Sequence, residues 1–316
     1  MSIEKIKDLP IILKLSGYKK YYEKFKVLVN DYADSLDSGA LIREIGFTPH
    51  DFSHHCRDIY EILGYILPDS FFDVYANGVN LFVLLVGVLF HDISMSQNAS
   101  EEARRRHSEL GKEFVIREIL QEGSSLNRNC ERAFAKAIGE VIYAHSDIKG
   151  VYGETVKYTF KEIVEAYADR SNFTTVDNEE LNVPFLAAVL RLSDELDISY
   201  KRVQGISYKD KVNIEESKSH YEICDYFNQV QLHPNKPHEL SVEVLDYVFD
   251  NLSKEDKPTI AGQIIDKYLK IKKEFDTLYK EVLSSNKFAA QGIWDIEHIQ
   301  LKDEEKYRDF VKKKEY

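Results

Sequence analysis

LLVGVLFHDIS, residues 84–94, is the most informative segment of the sequence, because a run of apolar residues ends abruptly in an imidazole and a carboxylate. The apolar run from Leu81 to Phe90 is about half of the roughly 20 residues that a membrane span requires, so it predicts a buried helix of a folded protein. His91 and Asp92 would then lie at the C-terminal end of this helix, where burial is costly unless a partner satisfies both side chains. A divalent metal ion would be such a partner, because imidazole and carboxylate together suit Mn, Fe, Co, Ni or Zn.

The segments on either side of this run have the apolar spacing of amphipathic helices. Apolar residues recur at three and four spacing in 11–36, with an interruption at Gly17, and in 53–67, which ends before Pro68. Further helices are predicted at 101–121, 127–145, 158–170 and 184–196. Residues 1–204 are therefore predicted to be a helical domain with an N-terminal helical layer.

The pattern changes between 205 and 250, where apolar and polar residues alternate over short runs. The alternation is clearest in Glu239–Val244, and the prolines at 234 and 237 indicate a turn. It predicts a small antiparallel sheet, followed by helix after Pro258 and a charge-dense tail. We therefore expect a mainly α protein, with a helical bundle over 1–204, a sheet and C-terminal helices over 205–316, and a soft boundary between them.

Four side chains on separate predicted helices would form a ligand set. His55 lies near the start of one helix, His91 and Asp92 end the next, and Asp194 lies on a later one. A structural interpretation stays open for His91, Asp92 and Asp194. His91 and Asp92 would then be a hydrogen-bonded pair at a helix end, and Asp194 would pair with Arg191, three residues earlier on the same helix.

Five segments together resemble the HD superfamily of metal-dependent phosphohydrolases, and they occur in the order of the ligands in that family. They are HHCRDIYEIL at 54–63, LLVGVLFHDIS at 84–94, RRRHSELG at 104–111, IGEVIYAHSD at 138–147 and FLAAVLRLSDELDIS at 185–199. A single His-Asp pair would be weak evidence, whereas the ordered set is fairly specific. The similarity is closest to bacterial HD domains that occur alone or ahead of GHKL-type ATPase domains, in which a small sheet follows the last of these helices.

The resemblance implies that His91, Asp92 and Asp194 bind metal and that Asp92 can bridge two ions. His107 and His145 occupy the places of two further histidines in family members with two metals, which implies a binuclear site. If either is instead a hydrogen-bonded core or surface histidine, the site is mononuclear. The implied cofactor is one or two divalent ions per chain, from among Mn, Fe, Co, Ni, Zn and Mg.

The first ligand is ambiguous between two adjacent histidines. His55 stands four residues before Ile59, which is the apolar partner usual in the family, whereas His54 stands four residues after His50, a spacing also seen in relatives. The resemblance favours His55 and leaves His54 as the alternative.

If the site is catalytic, we expect the reaction to depend on Asp92, His107 and Arg106. Arg106 would hold phosphate oxygens, since a guanidinium suits two-pronged contact with phosphate. Other basic residues that could do so are Arg104, Arg105 and Lys149 and, less favoured, Arg191 and Arg202. The alternative for the arginine run is an ordinary solvated helix face.

The charge and the cysteines narrow the classes of partner. A net charge of -12 argues against sequence-independent binding of nucleic acid over an extended surface, because such binding depends on Lys and Arg side chains that neutralise phosphates. It leaves a small nucleotide open if metal ions supply the positive charge. Three scattered cysteines without a CxxC pair fit a reducing compartment, and the N-terminus lacks the pattern of a signal peptide. We therefore expect a cytoplasmic protein without membrane contact.

Two functions follow as hypotheses. The first is a metal-dependent phosphohydrolase that cleaves a phosphate ester of a nucleotide or cyclic nucleotide. The second is a non-catalytic metal- or nucleotide-binding module of a bacterial stress or defence system, which would act with a partner protein or as a homo-oligomer. A nuclease is disfavoured by the acidic charge, and no phosphate-binding loop, GxGxxG, GxSxG or HExxH motif competes.

Overall fold

The computed structural model describes residues 2–37, 52–97, 100–130, 132–168, 174–176, 178–202, 222–228, 230–233, 235–284, 294 and 296–312. The helices are α1 Pro10–Ser16, α2 Lys19–Asp37, α3 Arg57–Ile66, α4 Gly78–Phe90, α5 Ile93–Gln97, α6 Glu101–Arg105, α7 His107–Leu120, α8 Ser125–Asn129, α9 Arg132–Ala144, α10 Thr159–Ala168, α11 Val183–Glu195, α12 Asp246–Asp250, α13 Lys257–Leu278 and α14 Glu304–Lys312. The strands are β1 Ile148–Lys149, β2 Thr155–Lys157, β3 Thr174–Val176, β4 Glu179–Leu181, β5 Gln231–His233, β6 Lys236–Val242 and β7 His298–Leu301. The prediction of a mainly α fold with a small sheet is confirmed.

Helix α4 is the central element of the bundle. Its N-terminus is capped by Asn77, whose side chain accepts a hydrogen bond from the backbone N–H of Asn80. Every residue of α4 is buried, and helices α1, α2, α3, α9 and α11 pack around it. Residues Gly78–Met95 are apolar enough to cross a membrane, but the whole segment is buried inside the protein. The apolar run is thus a core helix that is covered on all sides, as predicted.

Two glycines allow neighbouring helices to approach α4 closely. A Cβ atom on Gly87 would lie 3.1 Å from Cγ1 of Val141 in α9. A Cβ atom on Gly111 of α7 would lie 3.0 Å from Cγ2 of Ile142 and 3.1 Å from the carbonyl oxygen of His91. The absence of a side chain at Gly111 therefore lets α7 pass directly beside the end of α4, where His91 and Asp92 lie.

The small sheet differs from the prediction in one strand. Strands β5 and β6 pair in antiparallel fashion, and an antiparallel bridge joins Phe227 to Val244. The third strand, β7, is parallel to β6, with Leu240 opposite Ile299. The sheet is therefore mixed, because a long helix, α13, lies between β6 and β7 in the chain and returns it to the same edge in the same direction.

The first 204 residues are less uniformly helical than predicted. Two hairpins, β1–β2 and β3–β4, interrupt the helices, with Gly153 at φ 81° and Asn178 at φ 63° in their turns. These are left-handed backbone conformations, which glycine and asparagine adopt most readily. The predicted helices 101–121 and 127–145 are each divided in two, the first at Arg106 and the second between α8 and α9.

Helix α13 connects the C-terminal region to the bundle. It packs on α11, and Lys267 and Lys270 of α13 form ion pairs with Glu195 at 2.8 Å and 3.0 Å. Its buried residues, which include Ile264 and Ile271, belong to the same hydrophobic core as α4. The division of the chain into two regions near residue 205 stays a prediction.

Candidate metal centre

The predicted core ligands meet at one end of the bundle. His55 lies in a π-type turn, Phe52–Cys56, that leads into α3, His91 and Asp92 directly follow α4, and Asp194 lies in the last turn of α11. Nε2 of His55 is 3.0 Å from Nε2 of His91, 3.2 Å from Oδ2 of Asp92 and 3.4 Å from Oδ1 of Asp194. One ligand atom of each residue lies within 4.8 Å of those of the other three. We call these four residues the first ligand group.

A second ligand group shares Asp92 with the first. His107 is the first residue of α7, and His145 directly follows α9. Their Nε2 atoms are 3.0 Å apart and lie 3.5 Å and 3.6 Å from Oδ1 of Asp92. The other oxygen of Asp92, Oδ2, lies 3.2 Å from His55 and 3.1 Å from His91. The Asp92 carboxylate therefore presents one oxygen to each pair of histidines.

The hydrogen bonds of the four imidazoles determine which nitrogen faces the site. Nδ1 lies 2.6–2.8 Å from an oxygen in three of the rings and 2.5 Å in His145. The acceptors are Asp197 Oδ2 for His55 and the carbonyl oxygens of Val88, Arg104 and Ile142 for His91, His107 and His145, respectively. Because these oxygens only accept hydrogen bonds, each Nδ1 carries a proton and donates it. In a neutral ring the Nε2 lone pair then points into the site.

This arrangement fits divalent metal ions. Nε2 lone pairs face each other at 3.0 Å in both the His55–His91 and His107–His145 pairs, a contact that is repulsive unless a cation or an added proton lies between them. Two ligands at about 2.1 Å from one ion are separated by about 3.0–3.4 Å at octahedral or tetrahedral angles. Most separations within the two groups are 3.0–3.6 Å.

The helix ends add to the negative potential of the site. Helices α4, α9 and α11 end beside the site, at Phe90, Ala144 and Glu195, whereas α7 begins there, at His107. Unpaired carbonyl groups give a helix C-terminus a partial negative charge, which favours cations. Together with the carboxylates of Asp92 and Asp194, the three helix C-termini give the site a negative electrostatic potential that favours a bound cation.

The pKa values of two buried imidazoles, those of His91 and His145, are shifted in opposite directions. Burial lowers the pKa of His91, but the negative charges of Asp92 and Asp194 outweigh it, so the pKa is raised above its ordinary value. In His145, burial and the neighbouring His107 outweigh the effect of Asp92, and the pKa is lowered. His145 is thus held as the neutral imidazole, which is the form that binds metal.

Sequence reasoning did not single out Asp197. It lies in the turn that follows α11, three residues after Asp194, and it is buried behind His55. The available signal was its acidic side chain next to the end of a ligand-bearing helix. Its hydrogen bond to His55 is formed across 142 positions of sequence, which no local spacing rule predicts.

Arg191 pairs with acids other than the one considered from the sequence. Its guanidinium donates to both oxygens of Asp147, at 3.1 Å and 3.0 Å, and to Glu274 of α13. The alternative of Asp194 as the partner of Arg191 is therefore wrong. Because Asp147 and Glu274 already accept the hydrogen bonds of the guanidinium, Arg191 is poorly suited to bind a phosphate. Asp147 lies two residues after His145, so this ion triplet ties α11 to the second ligand group.

Two of the other basic candidates, Arg106 and Lys149, also have partners. Arg106 forms ion pairs with Glu102 at 3.2 Å and Glu109 at 2.7 Å, and Lys149 donates to Oγ1 of Thr155 at 2.5 Å. A role of Arg106 in phosphate contact stays a prediction, and it requires Arg106 to exchange an acid for the phosphate.

The remaining histidines are distributed as follows. His54 belongs to the same turn as His55, but its side chain, like that of Arg202, lies outside the described part of the structure, as do His50 and His220 altogether. His233, His238 and His298 lie on β5, β6 and β7, outside the two ligand groups. Among the described side chains, His55 is therefore the one that the turn brings to the first ligand group.

The site opens to solvent at two of its members. The side chain of Asp194 is 28% exposed and that of His107 is 18% exposed, whereas His55, His91 and His145 are buried. The opening thus lies at Asp194 and His107, on either side of the shared carboxylate.

A comparison with known families matches residues 36–282 of the chain to the HD-CE family. None of the curated proteins and none of the solved structures is similar enough to the chain to count as a match. The matched range contains both ligand groups and more than half of the sequence, and an HD-domain family is what the five sequence segments predicted. The chain therefore belongs to the HD-CE family.

Proposed function

We propose that this protein is a metal-dependent phosphohydrolase that acts on a nucleotide or cyclic nucleotide through a binuclear site. The observation that carries the proposal is the position of the Asp92 carboxylate. Its Oδ2 lies 3.1–3.2 Å from the Nε2 atoms of His91 and His55, and its Oδ1 lies 3.5–3.6 Å from those of His107 and His145. A carboxylate shared in this way suits a two-metal site.

The residues of the chain hold the site in a fixed geometry. Bound divalent ions supply Lewis acidity, which activates water at neutral pH and neutralises charge that develops on phosphate oxygens. Hydrogen bonds at Nδ1 keep the four imidazoles in the ligand tautomer, so little reorganisation is needed when a substrate binds. Asp92 connects the two groups, and the exposed edge at Asp194 and His107 admits the phosphate ester.

A small phosphate ester fits the surrounding charges better than a nucleic-acid backbone does. The chain has a net charge of -12, and Arg106 and Arg191, beside the site, are both engaged by carboxylates. The positive charge that attracts a phosphate would then come mainly from the metal ions, which act only at short range. A nucleotide needs this local charge alone, whereas a polymer needs an extended basic surface.

Metal content tests the binuclear site. Protein purified without chelator is analysed by inductively coupled plasma mass spectrometry, and about two equivalents of a transition metal are expected in the wild type. Asp92→Asn should lose both ions, and the double variant His107→Ala/His145→Ala should retain one. His298→Ala, which removes an exposed histidine of β7, is the matched control and should retain two. Wild-type protein without metal, even after reconstitution, would refute the proposal.

The same preparation resolves the first ligand. His55→Ala should lose the ion of the first ligand group, because its ring lies 3.0 Å from that of His91. His54→Ala should retain metal, and loss of metal in His54→Ala alone would reverse the assignment.

Turnover is tested separately from binding. The metal-loaded protein is incubated with bis(p-nitrophenyl) phosphate, nucleoside mono- and triphosphates, and cyclic mono- and dinucleotides. Hydrolysis that is lost by about 100-fold or more in Asp92→Asn would support the phosphohydrolase. Stable metal binding with nucleotide binding but no hydrolysis would instead support a non-catalytic sensor or interaction module.

A further inference from the structure

Asp197 is buried directly behind His55, on the side of the ring away from the other ligands. Its Oδ2 accepts a hydrogen bond from Nδ1 of His55 at 2.6 Å, and each side chain is only 1% exposed. Helix α11 ends at Glu195, and the backbone N–H of Asp197 donates to the carbonyl oxygen of Asp194 at 3.1 Å. This turn carries Asp197 past the end of the helix and towards the turn that holds His55.

The support of His55 differs in kind from that of the other three imidazoles. His91, His107 and His145 each donate Nδ1–H to a neutral carbonyl oxygen three residues earlier in the chain. His55 donates to an ionisable side chain from a distant segment. Hydrogen bonds to an ionised acceptor are shorter and about twice as strong as neutral ones. A carboxylate behind a ligating imidazole also increases the basicity of its metal-binding nitrogen.

We infer that Asp197 is a positioning residue for the ion of the first ligand group. By accepting a hydrogen bond from the Nδ1–H group of His55, Asp197 keeps Nε2 directed at His91 and Asp92. The same hydrogen bond makes Nε2 a stronger metal ligand. The second ligand group, which His55 does not enter, is independent of Asp197. The inference rests on the proposed metal site.

The experiment measures the affinity of the two sites for Zn²⁺ by competition with a chromophoric chelator. Asp197→Asn keeps an oxygen that can accept the His55 proton but removes the charge, and Asp197→Ala removes both. Such outer partners typically contribute 10–100-fold to metal affinity. We expect one of the two sites to weaken by about 10-fold in Asp197→Asn and by about 100-fold in Asp197→Ala, with the other site within about 3-fold of the wild type.

Asp58→Asn is the matched control. Asp58 lies on α3 and lines a small cavity with Asp197, Ser199 and Lys201, whereas the carboxylate that accepts the hydrogen bond from Nδ1 of His55 is that of Asp197. Burial and the charge of Asp197 raise the pKa of Asp58 to about 7, so titrations at pH 6 compare the amide of the variant with a carboxyl group that is mostly protonated in the wild type. Its two affinities should equal those of the wild type.

A second measurement does not depend on metal. In metal-free protein, ¹⁵N NMR of the histidine rings should show His55 as the Nδ1–H tautomer in the wild type and in Asp197→Asn, and as a mixture in Asp197→Ala. Unchanged affinities at both sites in Asp197→Ala, or an equal loss at both sites, would overturn the inference. Absence of Zn²⁺ binding by the wild type would overturn the proposed function as well, so the two failures are distinguishable.

Discussion

Replacement of Arg191 by methionine should destabilise the protein strongly, because it removes the cation from a largely buried ion triplet. Arg191 donates two hydrogen bonds to Asp147, at 3.1 Å and 3.0 Å, and it also pairs with Glu274. Burial opposes the charge of Arg191, but the two acids outweigh it and raise its pKa above the ordinary range. The guanidinium is therefore charged at every pH at which the protein folds.

The magnitude follows from what the substitution leaves behind. Arg191→Met would place Asp147, 14% exposed, and Glu274, 23% exposed, side by side without a cation. Removal of one partner from a buried ion pair typically costs about 3–5 kcal/mol. Because both acids keep some contact with water, we expect the low end of this range, a loss of about 3 kcal/mol in the free energy of unfolding.

Urea denaturation in the presence of a chelator measures this loss without a contribution from metal. The triple variant Arg191→Met/Asp147→Asn/Glu274→Gln is the matched control, since replacing a whole buried ion group by neutral side chains is often tolerated. It should recover a large part of the lost stability. A loss below about 1 kcal/mol in Arg191→Met, or a triple variant no more stable than the single one, would refute the reasoning.

Two further predictions concern helix packing and acid stability. Gly111→Ala should lower the free energy of unfolding by about 1–3 kcal/mol, because its new Cβ would lie 3.1 Å from the carbonyl oxygen of His91. Gly262→Ala in α13, where the new Cβ would meet no neighbouring group within 4 Å, should raise the free energy of unfolding by up to about 1 kcal/mol. Urea unfolding of both variants checks these two values. Burial raises the pKa of Glu195, but two lysines of α13 outweigh it and lower the pKa to about 2. This carboxylate therefore stabilises the fold above the ordinary pKa of 4.5, and its contribution is lost as the pH falls towards 2. The urea midpoints of the wild type and Glu195→Gln should converge over this range, and a constant difference would contradict the assignment.

The helices could be predicted because their signal is local. The apolar spacing of 11–36, with its break at Gly17, and the fully apolar run of α4 require only residues that are adjacent or one turn apart. The partner of a strand is a different question. Alternation in Glu239–Val244 identifies a strand with two faces. The parallel pairing of β6 with β7 depends on a crossover connection through α13, and the alternation contains no information about that connection.

The ion pairs show the same limit. Spacing on a helix suggested Asp194 as the partner of Arg191, and the structure instead supplies Asp147 and Glu274, which are 44 and 83 positions away. Asp194 is turned to the first ligand group, where His55 lies 3.4 Å from its Oδ1. Short-range rules identify which side chains are available, and tertiary packing decides which of them meet.

The ligand residues are the exception, because their local positions are unfavourable without the long-range arrangement. His91 and Asp92 end the most apolar helix of the chain, and His145 follows a helix whose last residues are buried. A sequence that places polar groups where local packing favours apolar ones indicates a site selected for function rather than for stability. The structure supplies the physical reason: each of the four imidazoles in the two ligand groups is held through Nδ1, so the Nε2 lone pairs of the neutral rings face each other in pairs between which a cation or an added proton can lie. The same conflict that made the site visible in the sequence is thus the reason why these residues could hold a metal ion.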